Sequence, residues 1–215
     1  MRRECFPSDQ SYINWLKSLG CVLYLPLHGD MQDKISGEYI QLTGNGRIDW
    51  DDNECMYRFK APSYTGQYVG FIQTNVSRST FPSNRLTVLH GIKRINQSDY
   101  LRTISPNTTN QKTLLALCAH YNASGRLAGF PDEYIPVGHV FNDQVGRAYY
   151  QGGVLYNTYG PYTGYLPSRW QTSGNGIKLC NYSDTVSGAE WYMDEVYLFN
   201  TALDISTIRK IQRYE

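Results

Sequence analysis

Apolar and polar residues alternate with a period of two along most of the chain after Gly20. This period places successive side chains on opposite faces of a β-strand. About a dozen short strands, separated by turn-forming clusters such as Thr43–Gly46, are typical of a sandwich or barrel rather than of βαβ units. The predicted strands span residues 22–27, 39–42, 47–50, 56–59, 68–74, 86–95, 100–104, 113–120, 126–129, 139–141, 147–150, 154–157, 176–181 and 191–199.

The two ends of the chain change to a helical period. Near the start, Ser8 or Asp9 can cap a helix that ends before Gly20, and near the end Asp204 can cap a second one. Their apolar stripes are Tyr12, Ile13, Trp15, Leu16 and Leu19 in the first helix, and Leu203, Ile205, Ile208 and Ile211 in the second. We expect residues 1–20 to form a helical extension and residues 21–215 to form one β-sandwich domain.

Two details of this fold are specific enough to check. Gly152-Gly153 lies between two strand patterns and predicts a two-residue hairpin, because both positions tolerate a positive φ. A largely buried core is predicted to include Val22, Leu23, Leu25, Val196, Leu198 and Ile208.

Composition supports a β fold and excludes several classes. The 215 residues include 19 tyrosines, which favour strands, and 20 Lys+Arg against 19 Asp+Glu give a net charge of +1. Such a balance provides no overall field for nucleic acid or anionic membranes, so we expect no nucleic-acid partner. No apolar run approaches the ~18 residues of a membrane span, so no membrane insertion is expected. No signal peptide is visible, which leaves the compartment open between the cell interior, the cell surface and a virion.

Segments near both ends of the proposed domain resemble a known family. Val22-Leu23-Tyr24-Leu25-Pro26-Leu27-His28-Gly29-Asp30 is similar to the opening strand of concanavalin A-like, laminin-G-type jelly rolls. Trp191–Leu203, with its Asp194-Glu195 pair, resembles the closing signature of that family, although Tyr192 stands where a Gly is usual. The resemblance implies a jelly-roll β-sandwich of two antiparallel sheets that often binds glycan or protein. It also implies a structural role for Asp194, which would tie the last strand to a neighbouring loop.

Enzymes of the same superfamily provide a test for catalysis. Laminarinase-type members carry E-x-D-x-E on one strand, which puts three carboxylates on one face. This chain offers Glu190, Asp194 and Glu195, with Tyr192 between the first two and Glu195 predicted to point to the other face. The carboxylates of Asp51-Asp52-Asn53-Glu54 are predicted to face water in a turn. We therefore predict no catalytic residues, and a divergent glycosidase is the disfavoured alternative.

Metal binding rests on the first predicted loop. Carboxylate and carbonyl oxygens suit calcium, and laminin-G-like domains often hold one ion at the sandwich rim. Asp30 and Asp33 are therefore the candidate ligands of a structural calcium, and no other cofactor is predicted. The alternative is that Asp30 forms an Asx turn after Gly29.

One aromatic loop carries the binding prediction. Tyr159, Tyr162, Tyr165 and Trp170 lie with Arg169 in a long Gly- and Pro-rich segment, and such rings suit stacking on sugars or contacts with protein. The first hypothesis is a non-catalytic laminin-G-like recognition module that binds carbohydrate through these residues. The second is a structural or assembly protein of a phage or cell surface that mediates protein–protein contacts.

Overall fold

A computed structural model describes most of the sandwich. It covers residues 10–42, 47–60, 69–73, 76, 80, 85–95, 102–106, 117–118, 134–142, 146–159, 177–181 and 190–212. Two helices flank thirteen strands in these ranges: α1 Gln10–Ser18, β1 Cys21–Leu25, β2 Gln41–Leu42, β3 Arg47–Asp51, β4 Met56–Lys60, β5 Val69–Gln73, β6 Leu86–Arg94, β7 Arg102–Pro106, β8 Leu117–Cys118, β9 Ile135–Asn142, β10 Gly146–Gln151, β11 Val154–Tyr159, β12 Ile177–Asn181, β13 Glu190–Phe199 and α2 Ile205–Gln212.

The described strands form two antiparallel sheets. One sheet has eight strands in the order β11-β10-β9-β6-β13-β4-β3, and β1 also pairs with β13. The other has five strands in the order β2-β5-β12-β7-β8. Both sheets mix neighbouring and distant strands of the sequence, so the fold depends on long-range pairing. The predicted all-β class with two short helices is confirmed.

Strand β13 organises the larger sheet because one of its edges pairs with two strands in succession. Residues 190–193 pair with β4, and the later residues 196–199 pair with β1. The opposite edge pairs with β6, with an irregularity between Asp194 and Tyr197. At that irregularity Glu195 has a φ of 48°, and its N–H donates to the carbonyl of Pro26 at 3.2 Å. The end of β1 is therefore fixed to β13 beside the start of β4.

Both helices pack on one face of this sheet. Leu16 of α1 and Ile208 and Ile211 of α2 join a buried cluster with Tyr24 and Tyr197 of the strands. The rings of Tyr24 and Tyr197 stack at 4.5 Å, and the Tyr12 hydroxyl lies 3.1 Å from that of Tyr197. The apolar stripes of the helices thus cover the part of this face that β1, β13, β6, β9 and β10 form.

The opposite face of the sheet carries the core predicted from the first and last strands. Leu23, Leu25, Val196 and Leu198 are at most 2% exposed, and Ile208 on the helix side is fully buried. Val22 is only half-buried. Five of the six predicted core residues are therefore confirmed, and Val22 is the exception.

The turn and cap predictions are also confirmed. Gly152 and Gly153 both have positive φ, of 59° and 70°, between β10 and β11. Gly20, with a φ of 83°, follows α1. Asp204 accepts a hydrogen bond from the Thr207 N–H at 2.8 Å, as an N-cap does. Predicted strand 126–129 and the caps Ser8 and Asp9 lie outside the described residues.

Candidate functional site

The end of β1 meets the β3–β4 hairpin in a partly exposed patch of aromatic and acidic side chains. We name Gly29, Asp30, Trp50, Asp52 and Tyr57 the Trp50 patch. Trp50 and Tyr57 are directly opposite each other across β3 and β4, so both side chains lie on the same face. Gly29 lies against the indole, since a Cβ on Gly29 would be 4.0 Å from Cζ2 of Trp50.

The two rings of the patch form an edge-to-face pair. Their centroids are 5.1 Å apart with an interplanar angle of 67°, and both residues are half-buried. The Nε1–H of Trp50 donates to Oδ1 of Asp52 at 2.7 Å, which fixes the indole in its plane. Edge-to-face packing is one of the preferred geometries of aromatic pairs. The arrangement provides a rigid, partly apolar surface.

Carboxylates lie at the edge of these rings. Asp30 follows Gly29, which lies against the indole of Trp50. Burial, and after it the charge of Asp30, raises the pKa of Tyr57. Oδ2 of Asp30 accepts from Nζ of Lys34 at 2.8 Å, and 45% of the Asp30 side chain remains exposed. Asp52 is exposed beyond its bond to Trp50. The patch therefore offers hydrogen-bond acceptors next to an aromatic surface.

A buried contact between His28 and Asp194 anchors the loop that carries Gly29 and Asp30. Nε2 of His28 lies 2.6 Å from Oδ1 of Asp194, and the two side chains are 12% and 2% exposed. Because Asp194 belongs to β13, this contact ties the loop after β1 to the centre of the sheet. The structural role that the family resemblance implies for Asp194 is supported by this geometry.

The other face of the same hairpin carries a charged row. Arg58 and Lys60 both bind Glu190, and the Lys60 Nζ–Glu190 Oε1 distance is 2.8 Å. The hydrogen bond from Lys60, followed by that from Arg58, lowers the pKa of Glu190. On the same face, the Tyr192 hydroxyl donates to Oδ2 of Asp51 at 2.6 Å. Burial, together with this hydrogen bond, raises the pKa of Tyr192 to about 12.

The acidic turn after β3 differs in part from its prediction. Residues Asp52–Cys55 form the turn, but Asp51 and Glu54 do not simply face water. Asp51 accepts from Tyr192, and Glu54 accepts from Nζ of Lys93 at 2.6 Å. Pairing of β4 with β13, and of β13 with β6, brings these distant partners to the turn. The prediction that these acids are merely solvated is wrong for both residues.

The carboxylates of β13 do not match the spacing expected of a glycosidase pair. Glu190 and Asp194 are four residues apart on the strand, which puts their Cα atoms about 13 Å apart at 3.3 Å per residue. Retaining and inverting glycosidases need carboxyl groups roughly 5–10 Å apart. Glu190 is also engaged by two cations and Asp194 by His28. Neither carboxylate is arranged for acid–base chemistry on a glycosidic bond.

The predicted calcium ligands are engaged by protein donors. Asp33 is buried, and its carboxylate accepts from the N–H groups of Tyr24, Ile35 and Ser36 and from the Ser36 hydroxyl. Asp30 accepts from the N–H of Gln32, two residues on, which is the Asx turn given as the alternative. In the part of the chain described here, no group of three or more acidic, His or Cys residues is arranged to hold a metal. The residues do not fit a calcium site, and that site stays a prediction without structural support.

The predicted aromatic loop is almost entirely outside the described ranges. Tyr159 ends β11, whereas Tyr162, Tyr165, Arg169 and Trp170 lie in the part that the structure leaves undescribed. The structure therefore leaves that binding prediction untested. The described residues offer instead a candidate site that the sequence reasoning missed, the pair of Trp50 and Tyr57.

Comparison with known proteins identifies the fold. No protein-family model matches the chain, and no curated protein matches it. Among solved structures, a botulinum neurotoxin type C chain, whose uptake into cells depends on two ganglioside molecules, aligns with a TM-score of 0.58 at 14% identity, over 96% of this chain and 53% of that chain. A Trypanosoma rangeli sialidase aligns with a TM-score of 0.60 at 14% identity, over 88% of this chain and 32% of the sialidase.

A third structure, the binding domain of botulinum neurotoxin DC in complex with rat synaptotagmin II, aligns with a TM-score of 0.56 at 14% identity, over 91% of this chain and 52% of that one. The chain has a β-sandwich jelly-roll fold. It spans about half the length of the toxin chains and a third of the sialidase. At this identity the likeness establishes the fold alone, and the narrower laminin-G assignment stays a prediction.

Proposed function

We propose that this protein is a non-catalytic β-sandwich recognition module that binds carbohydrate. The observation that carries the proposal is the Trp50 patch, a half-buried aromatic pair with carboxylates at its edge. A sugar ring presents an apolar face that stacks on an indole, and hydroxyl groups that donate to carboxylates. The indole of Trp50 and the carboxylate of Asp52 provide these two features within three residues of one hairpin.

Structural neighbours support the same class of function. The neurotoxin chains of similar fold interact with gangliosides, SialylT and rat synaptotagmin II. These are partners of the whole toxin chains, of which this chain matches about half, and they are consistent with recognition of carbohydrate or protein. The sialidase shows that similar folds also occur within enzymes, but fold alone does not determine activity.

Rigid support makes the patch suitable for binding. Trp50 is held by Asp52, and the loop with Gly29 and Asp30 is anchored through the His28–Asp194 pair. Binding to a preformed surface avoids the entropic cost of ordering loops on association. The loop Tyr159–Trp170 remains a second predicted binding segment, and the experiment below separates the two.

The test compares substitutions in the two segments on an array of glycans. Trp50→Ala should lower the affinity about tenfold, which corresponds to ~1.4 kcal/mol, because it removes the stacking surface. Trp170→Ala tests the aromatic loop in the same way. Leu155→Ala is the matched control, because Leu155 is 50% exposed on β11, at the opposite edge of the eight-stranded sheet.

The outcomes separate the two sites. Loss of binding in Trp50→Ala, with an unchanged melting temperature and full binding in Leu155→Ala, supports the patch. Loss in Trp170→Ala alone moves the site to the loop and retains the function. Failure of the unmodified protein to bind any glycan contradicts the proposal.

A further inference from the structure

We infer that the Trp50 patch selects neutral glycans over glycans that end in a carboxylate or sulfate. This inference rests on the proposed function and specifies its ligand class. It follows from the charges that the described residues place on each face of the β3–β4 hairpin. The two faces differ because alternation along a strand separates neighbouring side chains.

The aromatic face of the hairpin presents carboxylates. Asp52 is exposed beside Trp50, and its described partner is the neutral indole N–H. Asp30 lies near Tyr57 with nearly half of its side chain exposed. A carboxylate is an acceptor only, so it matches the hydroxyl donors of a neutral sugar and repels a second anion.

The cation closest to these acids is already engaged. Nζ of Lys34 donates to Oδ2 of Asp30 at 2.8 Å and to Oε1 of Gln32 at 2.9 Å, and its side chain is only 15% exposed. The imidazole of His28 is likewise bound by Asp194. Neither group presents an open positive charge to a ligand on the patch.

The other cations whose side chains the structure describes on or beside this hairpin lie on its opposite face. Arg58 pairs with Asp49 across β3 and β4, one position along from the Trp50–Tyr57 pair, so its side chain is on the opposite face. Tyr192 pairs with both Arg58 and Lys93, so Lys93 is on that opposite face too. Lys60 lies two residues from Arg58 on the same face as Arg58, and both bind Glu190. The described part of the hairpin thus segregates its cations away from the aromatic surface.

The expected discrimination follows from Coulomb's law. A like charge about 5 Å from an exposed carboxylate lowers affinity roughly fourfold in water at low salt. The penalty comes from Asp52, because the charge of Asp30 is offset by the Lys34 ammonium 2.8 Å away. Screening shortens the range of this repulsion, and the penalty should become smaller at 0.15 M ionic strength. A salt-dependent preference for the neutral member of each pair is therefore the signature of this site.

The experiment uses matched pairs of glycans on one array. Each neutral chain is printed next to the same chain carrying a terminal sialic acid or a sulfate, and binding is measured at low and at physiological salt. Asp52→Asn keeps an acceptor for the Trp50 N–H but removes the charge, and should reduce the ratio of neutral to anionic glycan affinity roughly fourfold at low salt. Asp49→Asn removes the same charge on the opposite face and should leave the preference unchanged.

Each outcome bears on one of the two proposals. The inference is supported if the protein binds the neutral chains more tightly and if this ratio of affinities decreases in Asp52→Asn but not in Asp49→Asn. Equal or tighter binding of sialylated or sulfated chains, lost in Trp50→Ala, overturns the inference and keeps the carbohydrate function. Binding of neither member of any pair overturns both.

Discussion

Loss of one partner of the His28–Asp194 pair should destabilise the domain strongly. Asp194→Ala removes a carboxylate that is 2% exposed and leaves the His28 imidazole, 12% exposed, without the oxygen now 2.6 Å from its Nε2. Removal of one partner of a buried pair costs about 3–5 kcal/mol. The lower end, about 3 kcal/mol, is expected here because the His28 side chain is not completely buried. Domains of this kind unfold with roughly 5–15 kcal/mol, so the loss is substantial.

Urea unfolding monitored by circular dichroism measures this loss. The exposed pair of Arg47 and Asp49, with side chains 74% and 42% exposed, provides the matched control. Asp49→Ala should change the free energy of unfolding by less than about 1 kcal/mol, as surface pairs do. A double-mutant cycle with His28→Ala should give a coupling energy of at least ~1 kcal/mol. A cost for Asp194→Ala no larger than that for Asp49→Ala, or a coupling near zero, would refute this reasoning.

Three further variants test other parts of the fold. Gly20→Ala should destabilise by at least ~1–2 kcal/mol in chemical unfolding, because φ is 83° and the new Cβ would lie 2.5 Å from Oδ1 of Asn200; an unchanged midpoint would contradict this. Asp204→Ala should cost about 1 kcal/mol at pH 7. Because the pKa of Asp204 is lowered to about 2, mainly by the Ser206 hydroxyl, the difference from wild type should vanish as pH falls from about 4 to 2; a difference that persists at pH 2 argues against the cap. Burial lowers the pKa of His90 to about 4, so the unfolded chain binds more protons and stability should fall as pH decreases from 6.5 to 4. His90→Leu should flatten that slope by up to ~1.4 kcal/mol per pH unit, and an unaltered slope would show that other groups cause it.

The local elements of the fold could be predicted from the sequence because each depends on neighbouring residues. Alternation gave β3, β4, β6 and β13 within one or two residues at each end. The cap of α2 and the Gly152-Gly153 turn depend on single side chains and on backbone freedom. These signals act over fewer than about ten residues, so they can be recognised without knowledge of the partner strands.

The candidate site could be predicted only in part, because it is assembled by pairing between distant segments. Trp50 and Tyr57 flank the Asp52–Cys55 turn symmetrically, so their opposition across a hairpin was available from the sequence. The position of the loop after β1 was not, because it depends on the pairing of β1 with β13 across more than 170 residues. Contacts such as Tyr192 with Asp51 depend on the same long-range pairing.

Tyr192 illustrates how one departure from a family pattern changes the surface around it. The laminin-G-like signature has a glycine at this point, whereas here a tyrosine hydroxyl bonds to Asp51 and the Lys93 ammonium lies 5.7 Å from the ring centroid. The hydrogen bond from Tyr192 is the main reason why the pKa of Asp51 is lowered. It therefore favours the ionised form of that carboxylate on the charged face. The charges of Asp51, Arg58, Lys93 and Glu190 thereby balance one another within that face. Because that balance lies within the opposite face, it does not involve the carboxylate of Asp52, whose described partner is the indole N–H of Trp50. This difference between the two faces of one hairpin is the basis of the proposed preference for neutral glycans.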